Sequence, residues 1–276
     1  MKKFNCILLI IVLGYSCLGT ILFFHIIHDH PMIYPVKGNW SLVWDDDFNA
    51  LSLDRTKWIR SDRSCDYGSY QKEIQKINAE NVLVKDGYLL LGAQSKVWMN
   101  PGNIYTTTRY TSGQVSTVDQ YAWTYGRIEI RAKLPVGEGL LSYASLRPTD
   151  GKISQEILMM MMSGRNSYTV FTDNNWGTNI FRQYLEEDQS TRSLQDDSAR
   201  FHIFAMEWEP QAIRWYVDDL RIYQTNRNVP DRPFSLALGT TAGNLFLYYN
   251  TPQSDGILTP LPQYFIIDWV RLYQKR

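Results

Sequence analysis

Cysteine and histidine are scarce in this sequence, and their scarcity excludes several kinds of active site. The 276 residues include 3 Cys and 4 His. Cys6 and Cys17 lie in an apolar N-terminal segment, which leaves Cys65 alone in the remainder, so no disulfide framework is possible there. Three histidines are close to the N-terminus and only His202 follows. We therefore expect neither a Ser–His catalytic pair nor a zinc site built from several histidines.

Net charge is absent as well. The chain has 28 basic and 28 acidic side chains, and its formal net charge is +0. Binding to nucleic acid needs a basic surface, so the sequence offers no electrostatic basis for it. What the chain does have is aromatic residues, 14% of the total, with 9 Trp and 18 Tyr. Such a content is typical of a β-rich core and of flat platforms for uncharged ligands such as sugars.

Residues 6–27 form a long apolar run, and they follow residues 1–5, which include two lysines. A cleaved signal peptide has an apolar stretch of about 7–15 residues, whereas a membrane-spanning helix needs about 20. We therefore expect residues 1–5 to be a cytosolic tail, residues 6–27 a signal anchor and residues 28–37 a juxtamembrane linker. The alternative is a signal peptide, cleaved near the small residues at 16–19.

Both alternatives direct the rest of the chain into the secretory pathway, as a single-pass membrane protein or as a secreted protein. The sequon Asn39-Trp40-Ser41 agrees with this destination. It predicts glycosylation of Asn39.

Residues 38–276 are expected to form one domain, because strand signals follow one another without a repeat or a linker. In "RIEIRAKL", residues 127–134, apolar and charged side chains alternate, which predicts a half-buried strand. In "NVLVKDGYLLLGA", residues 81–93, the dipeptide Asp86-Gly87 separates two apolar runs and predicts a β-hairpin. The predicted fold class is all-β and antiparallel, with two curved sheets.

Five segments resemble, in order, the conserved blocks of one enzyme family. They are "LVWDDDFNALSLDRTKW", "EIQKINAENVLVKDGYLLLGA", "YTSGQVSTVDQYAWTYGRIEIRAKLPVGEGL", "AMEWEPQAIRWYVDDLRIY" and "IIDWVRLY". The family is glycoside hydrolase family 16, and the relatives of interest are laminarinases and animal β-1,3-glucan-binding proteins. The resemblance extends from about Leu42 to Tyr273. It implies a concanavalin A-like β-jelly roll in which a concave sheet forms a sugar-binding cleft.

The resemblance also identifies a catalytic strand. In the family this strand reads Glu-Ile-Asp, one or two apolar residues, then Glu. Alternate side chains of a strand point the same way, so these acids face one cleft, with the last one aligned through a β-bulge where two apolar residues intervene. The first Glu is the nucleophile and the last is the acid/base. Their carboxyl groups lie about 5–5.5 Å apart in a retaining hydrolase.

Here the matching stretch is "EILMMMM", residues 156–162. The nucleophile position keeps Glu156, the helper Asp position is Leu158, and the acid/base position is Met161, or Met160 if there is no bulge. A thioether can neither donate a proton to a leaving alcohol nor activate water, so we expect the strand to be catalytically dead. Glu156 remains open to three interpretations: a residual nucleophile, a hydrogen-bonding residue for bound sugar, or an acid without a role.

The resemblance suggests further site residues. The family's Trp-Pro-Ala-Phe-Trp segment is replaced by residues 141–146, "LSYASL", which contain no Trp. Trp176, Tyr143 and Trp98 are candidates for stacking on sugar, although a buried core aromatic is the alternative for each. Asp47 and Asp268 correspond to positions around the family's structural calcium site, with ordinary surface or turn acids as the alternative. No other cofactor is expected.

The sequence thus predicts a domain that binds a β-glucan of the β-1,3 type or a related glycan and lacks efficient hydrolysis. One alternative is a working endo-β-1,3-glucanase whose acid/base is displaced. A further alternative is a pseudo-enzyme that has lost sugar binding and contacts another protein. Four acids are candidates for a displaced acid/base: Glu73, Glu138, Asp150 and Asp173.

Overall fold

The structure is a computed structural model of the 276-residue chain. It describes residues 39–64, 75–99, 106–150, 155–176, 186–193, 199–242 and 259–276. The expected signal anchor at residues 6–27, both of its flanks, Cys65 and Glu73 lie outside the described residues. Among the residues described, no helix has the length and apolar character needed to cross a membrane. Residues 37–276 form one compact unit.

The described residues contain eighteen β-strands and one 3-10 helix, Ala79–Asn81. In chain order the strands are β1 (Trp40–Asp46), β2 (Ile59–Arg60), β3 (Arg63–Ser64), β4 (Gln75–Ile77), β5 (Val82–Lys85), β6 (Tyr88–Met99), β7 (Thr106–Ser112), β8 (Gln114–Ser116), β9 (Gly126–Lys133), β10 (Leu140–Pro148), β11 (Gln155–Ser163), β12 (Thr169–Trp176), β13 (Glu186–Ser193), β14 (His202–Glu209), β15 (Ala212–Val217), β16 (Leu220–Thr225), β17 (Phe234–Ala242) and β18 (Gln263–Lys275).

These strands form two sheets. The seven-stranded sheet has the order β13-β12-β11-β10-β17-β8-β2. The eleven-stranded sheet has the order β16-β15-β14-β9-β18-β6-β7-β4-β3, with β1 paired to β18 and β5 paired to β6. Pairing in the described residues is antiparallel except between β4 and β7. The prediction of an all-β fold with two sheets is therefore confirmed.

The alternation in β9 shows how the sequence produces the sandwich. Ile128 and Ile130 are 1% and 0% exposed and belong to the core between the sheets. The intervening side chains lie on the outer face of the eleven-stranded sheet, where Arg127 Nε donates to Glu129 Oε1 at 2.7 Å. Burial of the apolar set stabilises the strand by about 25 cal/mol for each Å² removed from water.

Two hairpin turns begin with an Asp residue, and the backbone of that Asp is left-handed in both. Asp86 and Gly87, between β5 and β6, have φ of 54° and 77°. Asp218, between β15 and β16, has φ of 49°, and its carboxylate accepts the Ile203 amide at 2.9 Å. The added hydrogen bond offsets the cost of this conformation in a residue other than glycine.

Candidate functional site

The side chains of β11 alternate between the core and the opposite face of the seven-stranded sheet. Ile157, Met160 and Met162 are 0%, 0% and 2% exposed and belong to the core. Leu158 is 8% exposed but does not belong to the core cluster, and Met161 is half-buried. We call the face of this sheet that turns away from the core the cleft face.

A β-bulge brings Met161 onto the cleft face. On β10, Ser145 pairs with Leu158 and Ala144 pairs with Met160, so Met159 is the extra residue. The pairing with β12 is interrupted between the same positions, Leu158 and Met161. In a regular strand, the side chain five residues after Glu156 would point to the opposite face. The extra residue turns it back to the face of Glu156. Met161, not Met160, therefore shares the cleft face with Glu156 and Leu158.

The bulge is tied to the other sheet through its backbone. The indole Nε1 of Trp215, on β15, donates to the carbonyl oxygen of Leu158 at 3.1 Å. Trp215 is fully buried, so this bond gives its indole N–H the partner that a buried polar group needs. Trp215 thus fixes the register of the cleft residues from across the core.

Three successive rows of the cleft face, each crossing β10, β11 and β12, extend from Glu156 to Met161, and the row after them contains Leu141 and Ser163. The first row contains Glu156 with Asn175 on β12 and Arg147 on β10. The second contains Leu158 between Ser145 and Asp173. The third contains Met161 between Tyr143 and Phe171. From the first of these rows to the third, the floor changes from polar to apolar.

Glu156 is held by an ion pair. The Nε and Nη2 atoms of Arg147 both lie 2.9 Å from Oε1 of Glu156. The Glu156 side chain is 14% exposed and that of Arg147 is 40% exposed. Oε1 accepts two N–H groups of the same guanidinium, which fixes the orientation of the carboxylate. This arrangement favours the interpretation of Glu156 as a hydrogen-bonded cleft residue.

The structure also locates the acids considered as displaced acid/bases. Glu138, in the turn before β10, lies 3.7 Å from Arg165, and Asp150, in the turn after β10, lies 2.8 Å from Arg232. Asp173 alone of the described candidates lies within a cleft-face row, opposite Leu158 and 3% exposed.

Asp173 is the diagonal neighbour of Glu156, because Glu156 pairs with Asn175, two residues further along β12. Diagonal residues of paired strands lie about 7–8 Å apart. The Asp173 Oδ2 atom accepts a hydrogen bond from Asn175 Nδ2 at 3.1 Å. The face therefore keeps two carboxyl groups, at positions different from those of the family pattern.

Of the predicted stacking residues, Tyr143 lies on the cleft face. It pairs with Met161 on one side and with Gly239 of β17 on the other. A Cβ atom at Gly239 would be 2.6 Å from both Cζ and Oη of Tyr143, so the ring lies across β17 in contact with the glycine. The ring is half-buried and covers the sheet floor.

Trp176 does not share the face of Glu156. It pairs with Gln155, and the alternation of β12 places it on the side of Asn174, whose amide donates to the carbonyl of Arg227 at 2.8 Å. The guanidinium carbon of Arg227 lies 5.2 Å from the centroid of the Trp176 ring. Arg227 therefore lies over the Trp176 ring, which was predicted to stack on a sugar bound in the cleft.

Trp98 lies on β6 of the eleven-stranded sheet, opposite Thr107, and not on the sheet that carries Glu156. Its side chain is outside the described part of the structure.

The two acids predicted to bind calcium form hydrogen bonds with other residues. Asp268 Oδ2 accepts from Arg131 Nη1 at 2.6 Å, and Asp47 accepts from the amide and side chain of Asn49 at 3.3 and 2.7 Å. A cation would have to displace Arg131, so these residues do not fit a calcium site. Within the described ranges, no group of three or more His, Cys, Asp or Glu side chains is arranged to hold a metal ion.

Asn39 is exposed and immediately precedes β1, and a glycosylation acceptor must be exposed. The hydroxyl of Ser41, the third residue of the sequon, accepts a hydrogen bond from Arg276 Nε. Glycosylation of Asn39 stays a prediction.

Sequence reasoning missed Arg147, Phe171 and Gly239. One signal was available for Arg147, because it is the single charged residue in the otherwise uncharged stretch "LLSYASLRP" of β10. Phe171 and Gly239 gave no signal, since their roles depend on which strands become neighbours.

The model of the family described as glycosyl hydrolases family 16 matches residues 85–270. The chain belongs to this family. The family predicted from the conserved blocks is thereby confirmed.

Two curated members of the family show the extent of the similarity. The chain is 28% identical over 272 residues to glucan endo-1,3-beta-glucosidase A1 of Niallia circulans, covering 88% of this chain and 39% of that protein. It is 29% identical over 299 residues to a beta-glucanase of Rhodothermus marinus, covering 99% of this chain and 95% of that protein. The chain thus spans well under half of the first relative and nearly all of the second.

The fold agrees with a solved structure of the family. The laminarinase catalytic domain of Thermotoga maritima MSB8 superimposes with a TM-score of 0.74 at 26% identity, over 87% of this chain and all of that chain (100%). The two sheets described above are therefore the β-sandwich of family 16.

Proposed function

We propose that this family 16 domain binds a β-glucan of the β-1,3 type, or a related glycan, on the cleft face and does not hydrolyse it. The observation that carries the proposal is the bulged register of β11, which aligns Leu158 and Met161 with Glu156. Neither side chain can transfer a proton, so the general acid that glycoside cleavage needs is missing from its position. The names of the relatives, an endo-1,3-beta-glucosidase and a beta-glucanase, support the choice of glycan.

The test is calorimetric titration of the full chain with laminarihexaose, combined with a reducing-end assay on laminarin over a day. We expect a saturating isotherm and no release of reducing ends. Sustained heat together with new reducing ends would show turnover and overturn the inactive assignment. A flat trace would remove glucan binding and favour the use of this face for protein contact.

Hydrolysis by a displaced pair is the second candidate, and the placement of Asp173 favours it. Glu156 and Asp173 are diagonal neighbours on the cleft face, which brings two carboxyl-bearing side chains together on one sheet. If laminarin is cleaved, Asp173→Asn should abolish the activity, whereas Asp150→Asn, in the turn after β10, should leave it unchanged. Retained activity in Asp173→Asn would exclude this candidate.

The destination of the domain is part of the proposal. We propose that residues 6–27 direct the chain into the secretory pathway, where Asn39 becomes glycosylated. Expression of the full chain in cultured eukaryotic cells should give a band that shifts on endoglycosidase treatment, and the shift should vanish in Asn39→Gln. Carbonate extraction separates the alternatives, since an anchored chain stays with membranes and a cleaved chain does not. A chain without a glycan in the cytosolic fraction would contradict both.

A further inference from the structure

The third cleft-face row has a composition unlike the other two. It consists of Tyr143, Met161 and Phe171, one from each of three adjacent strands, and we call it the apolar row. All three side chains are half-buried and none belongs to the core clusters. Since adjacent strands lie about 4.8 Å apart, the row spans about 10 Å across the sheet. Three partly exposed apolar residues in one row form a surface that a ligand can cover.

The apolar row lies between rows that carry polar groups, since the next row along β11 contains Ser163, whose hydroxyl accepts from the Arg165 amide. The first row offers the Arg147–Glu156 ion pair and the amide of Asn175, and the second row contains Asp173. No charged side chain belongs to the apolar row itself. A ligand that fits this floor must therefore have an uncharged apolar face next to an edge that forms hydrogen bonds. A pyranose ring has this character, because its C–H bonds form an apolar face and its hydroxyl groups lie at the rim.

The apolar row is preorganised at Tyr143, the residue on β10. The Tyr143 ring rests on the backbone of Gly239, where even a methyl group would overlap it. The ring therefore has a surface fixed before any ligand arrives, and little side-chain entropy is left to lose on binding. Met161, at the centre, has a polarisable thioether that makes favourable contacts with neighbouring aromatic rings.

We infer that the apolar row is a stacking subsite for the C–H face of a neutral pyranose ring. The inference rests on the proposed function and refines it, because it assigns a binding role to the position at which relatives would carry the acid/base. With Met161 at that position, all three residues of the apolar row are apolar. The position then contributes to sugar binding and not to cleavage. Tyr143 and Phe171 would contact the ring from the two flanking strands.

The experiment measures the Kd of the full chain for laminarihexaose in a matched set of variants. Tyr143→Ala and Phe171→Ala should each weaken binding about tenfold, the loss expected for one aromatic contact with a sugar ring. The control Tyr168→Ala removes a ring that is 50% exposed in the turn between β11 and β12 and should bind as the parent does. Circular dichroism and thermal melting establish that each variant is folded.

A second pair of variants keeps the inference testable if the alanine variants fail to fold. Met161→Leu preserves an apolar side chain of similar size and should bind within about twofold of the parent, whereas Met161→Gln places an amide in the row and should weaken binding at least about fivefold. Gln cannot act as a general acid, so turnover does not complicate the comparison.

The outcomes separate the inference from the proposed function. Loss of affinity confined to the row variants supports both. Unchanged affinity in Tyr143→Ala, Phe171→Ala and Met161→Gln, with the parent still binding, overturns the inference and leaves the proposed function standing. If the parent binds an oligogalacturonate more tightly than laminarihexaose, the neutral-ring assignment is wrong. If the parent binds neither sugar, both the proposed function and the inference fail.

Discussion

The Tyr143 ring occupies the space that a side chain at position 239 would fill. A Cβ atom on Gly239 would lie 2.6 Å from Cζ and Oη and 2.8 Å from Cε1 of Tyr143. The two residues are direct cross-strand partners between β10 and β17. The glycine is therefore required by a close approach across strands, not by an unusual φ angle, and the pair can be tested as a unit.

Gly239→Ala should displace the Tyr143 ring and lower the free energy of unfolding by about 1–3 kcal/mol, as overpacking of a filled site does. The same substitution in a Tyr143→Ala background should cost much less, because the overlap is gone. Urea unfolding of the parent, the two single variants and the double variant measures the coupling. Additive effects of the two substitutions would show that the ring does not lie on the glycine.

The sequence predicted the strand that carries the site and left its surroundings open. The alternation around Glu156 and the spacing to Met161 were readable, because a strand has a period of two and a bulge adds one residue. The sequence alone did not show whether the bulge exists. The bulge arises because Met159 pairs with neither β10 nor β12. The family and the two-sheet fold followed from blocks spread over the whole domain.

The surroundings of other predicted site residues could not be read from the sequence, for physical reasons. Trp176 was expected at the cleft, yet one step in the alternation of β12 puts it on the opposite face, beside Arg227. Asp268 was expected near a cation, but its partner is Arg131, on a strand 137 positions away. Contacts of this kind are set by sheet order, which a single sequence does not specify.

Placing acids at positions 158 and 161 should give the domain the ability to hydrolyse laminarin. The double variant Leu158→Asp with Met161→Glu adds two carboxyl groups to the cleft face, at the spacing from Glu156 that the family pattern has. We expect release of reducing ends from laminarin at a rate at least about a hundredfold above the parent, the lower end of what general acid catalysis contributes. The matched control is Leu158→Asn with Met161→Gln, which has similar size and polarity but no acid. Equal activity of the two double variants, or none in either, would contradict the assignment of these positions.

The hydrogen bond between Trp215 and the bulge should contribute to stability. Trp215→Phe keeps an aromatic ring in the core but removes the donor, which leaves the Leu158 carbonyl buried without that partner. We expect the free energy of unfolding to fall by about 2–4 kcal/mol, from the unsatisfied acceptor together with the lost volume. Trp208→Phe is the comparison, because the indole of Trp208 donates to Pro230 at 3.0 Å, away from the bulge. If the bulge needs Trp215, binding of laminarihexaose falls in Trp215→Phe more than in Trp208→Phe.

Tyr216 should make the stability of the domain depend on pH in the alkaline range. Burial is the main cause that raises the pKa of the Tyr216 phenol from 10.0 to about 12, and the hydrogen bond from its hydroxyl to Glu207 Oε2, at 2.8 Å, acts in the same direction. A folded-state pKa above the unfolded value means that the contribution is fully present below pH 10 and is lost as the pH rises to about 12. Over that interval the free energy of unfolding of the parent should fall more steeply than that of Tyr216→Phe, which keeps the ring but cannot ionise. Urea unfolding from about pH 9 to about pH 11.5 gives both slopes, and the difference between them cancels the titration of the other tyrosines and lysines. Parallel slopes would mean that the Tyr216 hydroxyl titrates alike in the folded and unfolded chains.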